Sequence, residues 1–372
     1  MAYQAVDRVF YRQPGMWPQT LDRWLREGMP WIEKAENLVG ASGLYPGCQY
    51  FGFDRCDYMD IKLNAQPPYP ETVLEENERY RTFIDAEGST RNELKGKTSR
   101  GGQMSMDTFV DFPAKTRKGW AEFKQHFDPL TGARFPKWWE DRVKIWRQRD
   151  YPLVLPLNSE RAFGLYSWLR RCMGTVEACT IFLDDPTFAE ELLDFYTQFT
   201  MDTIHNALHD VEVDCFNIFE DMAGKGGPLV SPGIFRTFLM PRYKRIVDFV
   251  RSHKVACISM DSDGDMKPLI PLILETGIDV LWPIEVAAGM EPVELRKEYG
   301  RDLRMWGGID KRELAKGRKD IEYEVLRKVP QLVEEGGYLP HLDHDIPPDI
   351  PYDNFLYYLE ILHRACEGRY GA

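Results

Sequence analysis

The chain has 372 residues, 43% of them apolar, with a formal charge of −12 and a pI near 5.2. That composition supports a large core. The length exceeds a typical single α/β barrel by roughly a hundred residues, so one barrel with an extension fits better than two equal domains. An acidic chain without a clustered basic surface gains nothing from counterion release on a phosphate backbone, and no run of about twenty apolar residues is long enough to span a bilayer, so nucleic acid and membrane are both excluded as partners.

Residues 1–150 are rich in Trp, Tyr, Pro and charge but poor in periodicity, and the N-terminus carries no charged-then-apolar signal pattern. The stretch Met16–Leu25 is predicted to form a short helix opened by Pro18, and Tyr58–Gly96 a loop followed by a small polar hairpin. An aromatic-rich segment of this length is expected to act as a cap over a binding site. From Tyr151 the pattern becomes regular. Pro152–Leu157 is a strand candidate, Ala162–Met173 a helix, and Asp185–Val211 a long helix opened by Pro186. Ser231-Pro232 caps an amphipathic helix that Pro241 should kink. Strand and helix then alternate about every 25 to 35 residues, Gly300 and Gly336 stop two of the helices, and Asn354–Glu367 closes the chain as a helix. The expected fold is α/β, a (β/α)8 TIM-like barrel in 151–372 with 1–150 as an N-terminal extension capping its mouth. Seven scattered cysteines, odd in number and without a C-x-x-C pair, fit reduced thiols in a soluble cytoplasmic protein. Cys215 and Cys257, inside predicted strands, are expected to pack in the core.

Five apolar runs end on acids or histidine. Asp214–Phe219 meets Glu220 and Asp221, Val255–Met260 meets Asp261 and Asp263, Val280–Ile284 meets Glu285, Leu303–Ile309 meets Asp310, and Tyr338–Leu342 meets Asp343, His344 and Asp345. Ligand sites of parallel α/β folds lie at the carboxyl ends of the strands, so these residues are candidates for a catalytic centre. For each, the plain alternative is an acid capping the following helix. Carboxylates at Asp261 and Asp263 suit a hard cation or a shared proton, although the loop lacks the later Glu of a Ca²⁺-binding loop. His344, flanked by carboxylates, suits an acid, a base or a metal ligand. Trp282 and Trp306, near adjacent strand ends, fit either the walls of a flat substrate pocket or the core.

The segments Glu220-Asp-Met-Ala-Gly, Asp261-Ser-Asp-Gly-Asp, Pro283-Ile-Glu-Val, Gly307-Gly-Ile-Asp and His341-Leu-Asp-His-Asp-Ile-Pro, in this order between about Pro152 and Arg364, resemble the uroporphyrinogen decarboxylase superfamily. The resemblance implies a distorted (β/α)8 barrel with an N-terminal extension and either of two chemistries, cofactor-free decarboxylation of porphyrinogen acetates or methyl transfer involving a corrinoid protein or thiol, usually on zinc. Against the decarboxylase pattern, Arg12-Gln13-Pro14-Gly15-Met16 keeps one Arg and loses the second, Trp168 falls near the Tyr position, Asp221 replaces the Ser, and His344 matches the late His. A substrate with eight carboxylates needs a basic pocket, and these changes run the other way. Against the methyltransferase pattern, Asp261, Asp263 and His344 stand where relatives place zinc ligands. The resemblance therefore implies a methyltransferase passing a methyl group from a small methoxylated or methylated compound to a corrinoid carried by a partner protein. In that reading a divalent metal, zinc or another, sits on Asp261, Asp263 and His344. His344, Asp221, Glu220 and Glu285 are the catalytic candidates, and Trp168, Trp282, Trp306, Arg12 and Asp310 the substrate-binding ones. The alternatives are a metal-free decarboxylase of a tetrapyrrole or smaller acid and a non-catalytic corrinoid- or tetrapyrrole-binding barrel. Oligomerisation is compatible with each.

Overall fold

A computed structural model describes residues 3, 8–33, 35–38, 48–96, 107–156 and 162–368. Seven strands form one sheet whose spatial order follows the chain: β1 (Asp57–Tyr58), β2 (Leu153–Leu155), β3 (Cys215–Phe219), β4 (Cys257–Asp261), β5 (Val280–Trp282), β6 (Arg304–Trp306) and β7 (Tyr338–Leu339). Every neighbouring pair is parallel. Sequential order, parallel pairing and intervening helices define an α/β barrel of the TIM type. Of the expected strand 152–157, Leu153–Leu155 is formed and Leu157 lies outside the described residues.

The seam between β7 and β1 is closed by the segment around residues 11–17 rather than by a long ladder. The Asp54 amide donates to the Tyr11 carbonyl at 2.8 Å, the Ile346 amide to Gly15 at 2.9 Å, and the Trp17 amide to Ile346 at 3.1 Å. Met16 and Ile346 make an isolated parallel bridge. Between these points Gln13, buried, accepts through Oε1 from the Leu342 amide and from the Tyr358 hydroxyl, each at 3.1 Å. The helix Pro18–Arg26 then docks beside the same segment, with Thr20 Oγ1 donating to the Ile346 carbonyl and Trp24 Nε1 to that of Ile350. Thus residues 11–17 and β1, all upstream of residue 151, are parts of the barrel wall.

The remainder of the first 150 residues is more structured than a small hairpin. Thr72–Glu76, Tyr80–Ile84, Thr90–Leu94 and Thr108–Asp111 form a four-stranded antiparallel sheet. The helix Trp139–Trp146 sits at the amino end of the barrel strands, where Trp139 Nε1 donates to Asp210 and Arg149 pairs with Asp214 just before β3. Among the described residues, Trp17 and Gln19 of the extension line the cleft at the opposite, carboxyl end.

The helices follow their sequence signals closely. Asp185 caps Pro186–Asp210 through the Phe188 amide, Ser231 caps the helix at Pro232 through the Ile234 amide, and Gly300 and Gly336 terminate Pro292–Tyr299 and Val329–Glu335. Ahead of Pro241 the chain takes a π-helical turn, Phe235–Leu239, before continuing as Met240–Ser252. Proline lacks the amide hydrogen that would continue the α ladder there, and a widened turn is one way to accommodate it. No helix among the described residues is long and apolar enough to cross a membrane.

The two faces of the central strands differ. Phe216, Ile218, Ile258 and Met260 point outward into the main core beneath the helices. The alternating inward positions of the same strands carry Cys215, Asn217, Cys257 and Ser259. TIM barrel interiors are usually filled by branched aliphatic side chains; small ones here leave space. Replacing Gln13 with Ala strands two buried donors, the Leu342 amide and the Tyr358 hydroxyl. The expected loss is about 3 kcal/mol of stability by chemical denaturation. An unchanged midpoint would show that the seam does not depend on this side chain.

Candidate functional site

Two spaces meet the expected site residues. The first is a cavity of about 280 Å³ inside the barrel, lined among others by Arg12, Tyr58, Asn217, Trp282, Trp306 and His341. The Trp282 and Trp306 rings lie 5.9 Å apart, tilted by 48°. Trp282 is held by its Nε1, which donates to Asn217 Oδ1 at 3.2 Å, while Ser259 Oγ donates to the same oxygen at 2.7 Å. Arg12 stacks over the Tyr58 ring at 5.0 Å. Cys215, as expected for a strand cysteine, is buried with Cys56 and Val154 in a small apolar cluster against which Cys257 packs, and the three cysteines also line this space. The Cys215 thiol is pushed well above its ordinary range, first by its hydrogen bond with Cys257 and then by burial.

The second is an open cleft of about 510 Å³ at the carboxyl ends of the strands, lined by Trp17, Gln19, Asp263, Glu285, Lys311, His344 and Asp345 together with Pro347 and Pro348. His344 Nε2 meets Asp263 Oδ2 at 3.2 Å, and the Asp345 amide donates to His344 Nδ1 at 2.8 Å. These partners pull in opposite directions. The hydrogen bond to Asp263 raises the histidine to about 9, against burial, whereas an amide hydrogen aimed at Nδ1 favours the neutral Nε2–H tautomer. Asp345 is raised by burial. Glu285 accepts from the Gly264 amide at 2.9 Å. Gly264 has φ +82°, and a Cβ there would lie 2.6 Å from the Ala223 carbonyl carbon, so this loop requires glycine.

The structure does not bring the other candidates into either space. Glu220 is fully buried and its carboxylate receives the amides of Tyr166 and Ser167, both at 3.0 Å, and the Tyr243 hydroxyl. It anchors the first turn of the helix Leu165–Met173, and burial raises its pKa against those hydrogen bonds. Glu220, expected among the catalytic residues, lines neither space and its carboxylate clamps this helix start. Asp221 pairs with Arg170 at 2.7 Å and lines neither space. Trp168 is core, stacked on Tyr196 at 4.3 Å with an interplanar angle of 4°. Asp310 caps Lys311–Leu314 through the Arg312 amide at 2.9 Å; burial pushes its pKa up, but the bonds from Arg312 outweigh it and the net shift is downward. Asp343, fully buried, accepts from the Val286 and Lys311 amides and stitches together the loops that follow β5, β6 and β7.

The expected metal set is not assembled. Among the described residues no three His, Cys, Asp or Glu side chains are grouped so as to hold a metal ion. Asp261 closes β4 in register with Phe219 and Trp282, and both nitrogens of His344 already have hydrogen-bond partners. Asp261, Asp263 and His344 therefore do not fit a metal in this arrangement.

His341 was missed by the sequence reading. It follows β7 and lies three residues before His344, buried beside the inner cavity with Trp282 edge-on at 6.4 Å. Burial, with Arg12 adding to it, lowers its pKa to about 4. Its position at a strand end was the available signal, and the more conspicuous Asp-His-Asp cluster drew the reading away from it.

Residues 164–365, more than half of the chain, match the family model described as Uroporphyrinogen decarboxylase (URO-D), and the chain belongs to this family. It is 21% identical over 185 residues to a uroporphyrinogen decarboxylase of Geobacter metallireducens, a match covering 49% of this chain and 51% of the relative. The enzyme of the same name from Trichlorobacter lovleyi is 22% identical over 145 residues, covering 38% of this chain and 40% of the relative. The chain thus spans about half the length, or less, of the curated relatives it matches. Among solved structures, a methyltransferase from Methanosarcina mazei superposes with a TM-score of 0.59 at 18% identity, covering 99% of this chain and 96% of that one. This is a likeness of fold over essentially the whole chain.

Asp263→Asn should return His344 toward the ordinary histidine pKa, followed by NMR titration of the imidazole. Because the folded-state pKa is raised from 6.5 to about 9, the stabilisation from Asp263 is fully present below pH 6.5 and is lost as pH rises through 9. The stability gap between wild type and variant should shrink across that interval. An unshifted titration would show that the pair does not control the imidazole.

Proposed function

We propose that this protein is a methyltransferase of the URO-D family that takes a methyl group from a small methoxylated or methylated compound and passes it to a corrinoid held by a partner protein. The observation that carries this reading is the inner cavity of about 280 Å³, walled by Trp282 and Trp306, with Arg12 as the one Lys or Arg among its described lining residues. A planar molecule of one ring with one acidic group suits that lining. An acidic tetrapyrrole does not, because one guanidinium leaves most of eight carboxylates unpaired in an apolar space. The whole-chain likeness to the Methanosarcina methyltransferase supports the same branch. Asp221, which a decarboxylase reading would use for proton handling, is engaged with Arg170 away from both spaces.

In this reading Trp282 and Trp306 hold the ring, Arg12 orients it, and the His344–Asp263 pair handles protons at the mouth. The open cleft is the face offered to the corrinoid protein, and the extension, through Trp17 and Gln19, forms part of its cover.

The test is methyl transfer from a panel of methoxylated aromatic acids and methylamines to a supplied cobalt(I) corrinoid protein. At least one panel member should be demethylated, and Trp282→Ala should lower kcat/KM for it by about tenfold or more. No transfer across the panel, with carbon dioxide released from a porphyrinogen instead, would overturn the proposal.

A further inference from the structure

The inner cavity contains a polar group whose chemistry is fixed by its surroundings. His341 Nδ1 lies 2.6 Å from the Leu342 carbonyl oxygen. A carbonyl only accepts, so Nδ1 carries the hydrogen. The neutral ring then presents Nε2 as a bare acceptor, and burial, which holds the pKa near 4, keeps it so at neutral pH. The ring has little freedom to turn. Trp282 stands perpendicular to it, at 88°, and the Gly307 backbone approaches so closely that a Cβ on that residue would sit 3.1 Å from His341 Cε1. Gly307 has φ +96° and its Cβ position is 2.0 Å from the Pro283 carbonyl oxygen, so the crowding is built into the backbone. Among the described residues no donor reaches Nε2.

We propose that His341 Nε2 is a specificity-determining acceptor of the inner cavity, and that the ligand class selected there is a small aromatic acid retaining a free hydroxyl. The inference rests on the small-substrate reading given above and narrows it: the methylated substrate keeps a hydroxyl that donates to His341 while Arg12 faces its carboxylate. A site built to accept from a hydroxyl rejects an analogue lacking it more strongly than an apolar wall rejects a change of size, because the rejected analogue leaves a buried polar atom unpaired.

The probes are meta- and para-hydroxybenzoate against the nearly isosteric methylbenzoates, titrated calorimetrically into the full-length protein without corrinoid. Wild type should bind a hydroxybenzoate about tenfold or more tighter than its methyl partner. His341→Leu should bring that ratio to within about twofold, whereas His341→Gln, which keeps an acceptor on a side chain of similar reach, should retain most of it. The ratio, rather than affinity alone, is the readout, because a merely structural loss weakens both probes together. If His341→Leu does not fold, the ratio in wild type and His341→Gln decides the matter. Equal affinities for the two probes in wild type, or an unchanged ratio in His341→Leu, would overturn the role of His341 while leaving the small-acid cavity intact. Failure of every probe to bind would overturn both.

Discussion

The hydrogen bonds that sew residues 11–17 between the residues leading into β1 and the segment after β7 decide what the rest of this barrel can be. The described strands do not close on themselves through a continuous ladder, and Gln13 with the backbone of Tyr11, Gly15 and Trp17 spans the opening. The same segment supplies Arg12 to the inner cavity and leads to Trp17 and Gln19 at the mouth. Closure and site construction are therefore one event, and a change that loosens the seam moves a wall of the cavity.

Inside that closed wall, side-chain size does the remaining shaping. Cys215, Asn217, Cys257 and Ser259 occupy inward positions that a filled barrel would give to Val, Ile or Leu. The polar groups left in the interior are tied to one another: Ser259 and Trp282 both donate to Asn217, and His341 donates to its neighbouring carbonyl. Outside, Glu220 binds the amides that open the helix Leu165–Met173, where Gly164 passes so close to the Phe219 carbonyl that a Cβ would lie 1.8 Å from it. That close approach joins the helix to the end of β3.

Much of the fold was legible from the sequence. Alternating apolar runs and capped helices identified the barrel, and Pro186, Ser231, Gly300 and Gly336 act where local chemistry says they should. The four-stranded sheet between Thr72 and Asp111 was legible only as a hairpin, because its outer strands are exposed and carry little alternation. For the site, the acids at strand ends divide between those that line the open cleft and those that are engaged in holding the backbone. Glu220, Asp310 and Asp343 satisfy backbone amides, which is the capping chemistry that competed with the catalytic reading from the start. The inner cavity left its signal in what is missing, bulk at the inward strand positions held by Cys215, Asn217, Cys257 and Ser259.

Where a small aromatic acid binds decides whether the inner cavity is the substrate site. A crystal structure of the protein with para-hydroxybenzoate tests this most directly. The ring should lie beside Trp282 and Trp306 with its carboxylate at Arg12. A ligand seated instead in the open cleft against His344 and Lys311, with the inner cavity bypassed, would contradict the account.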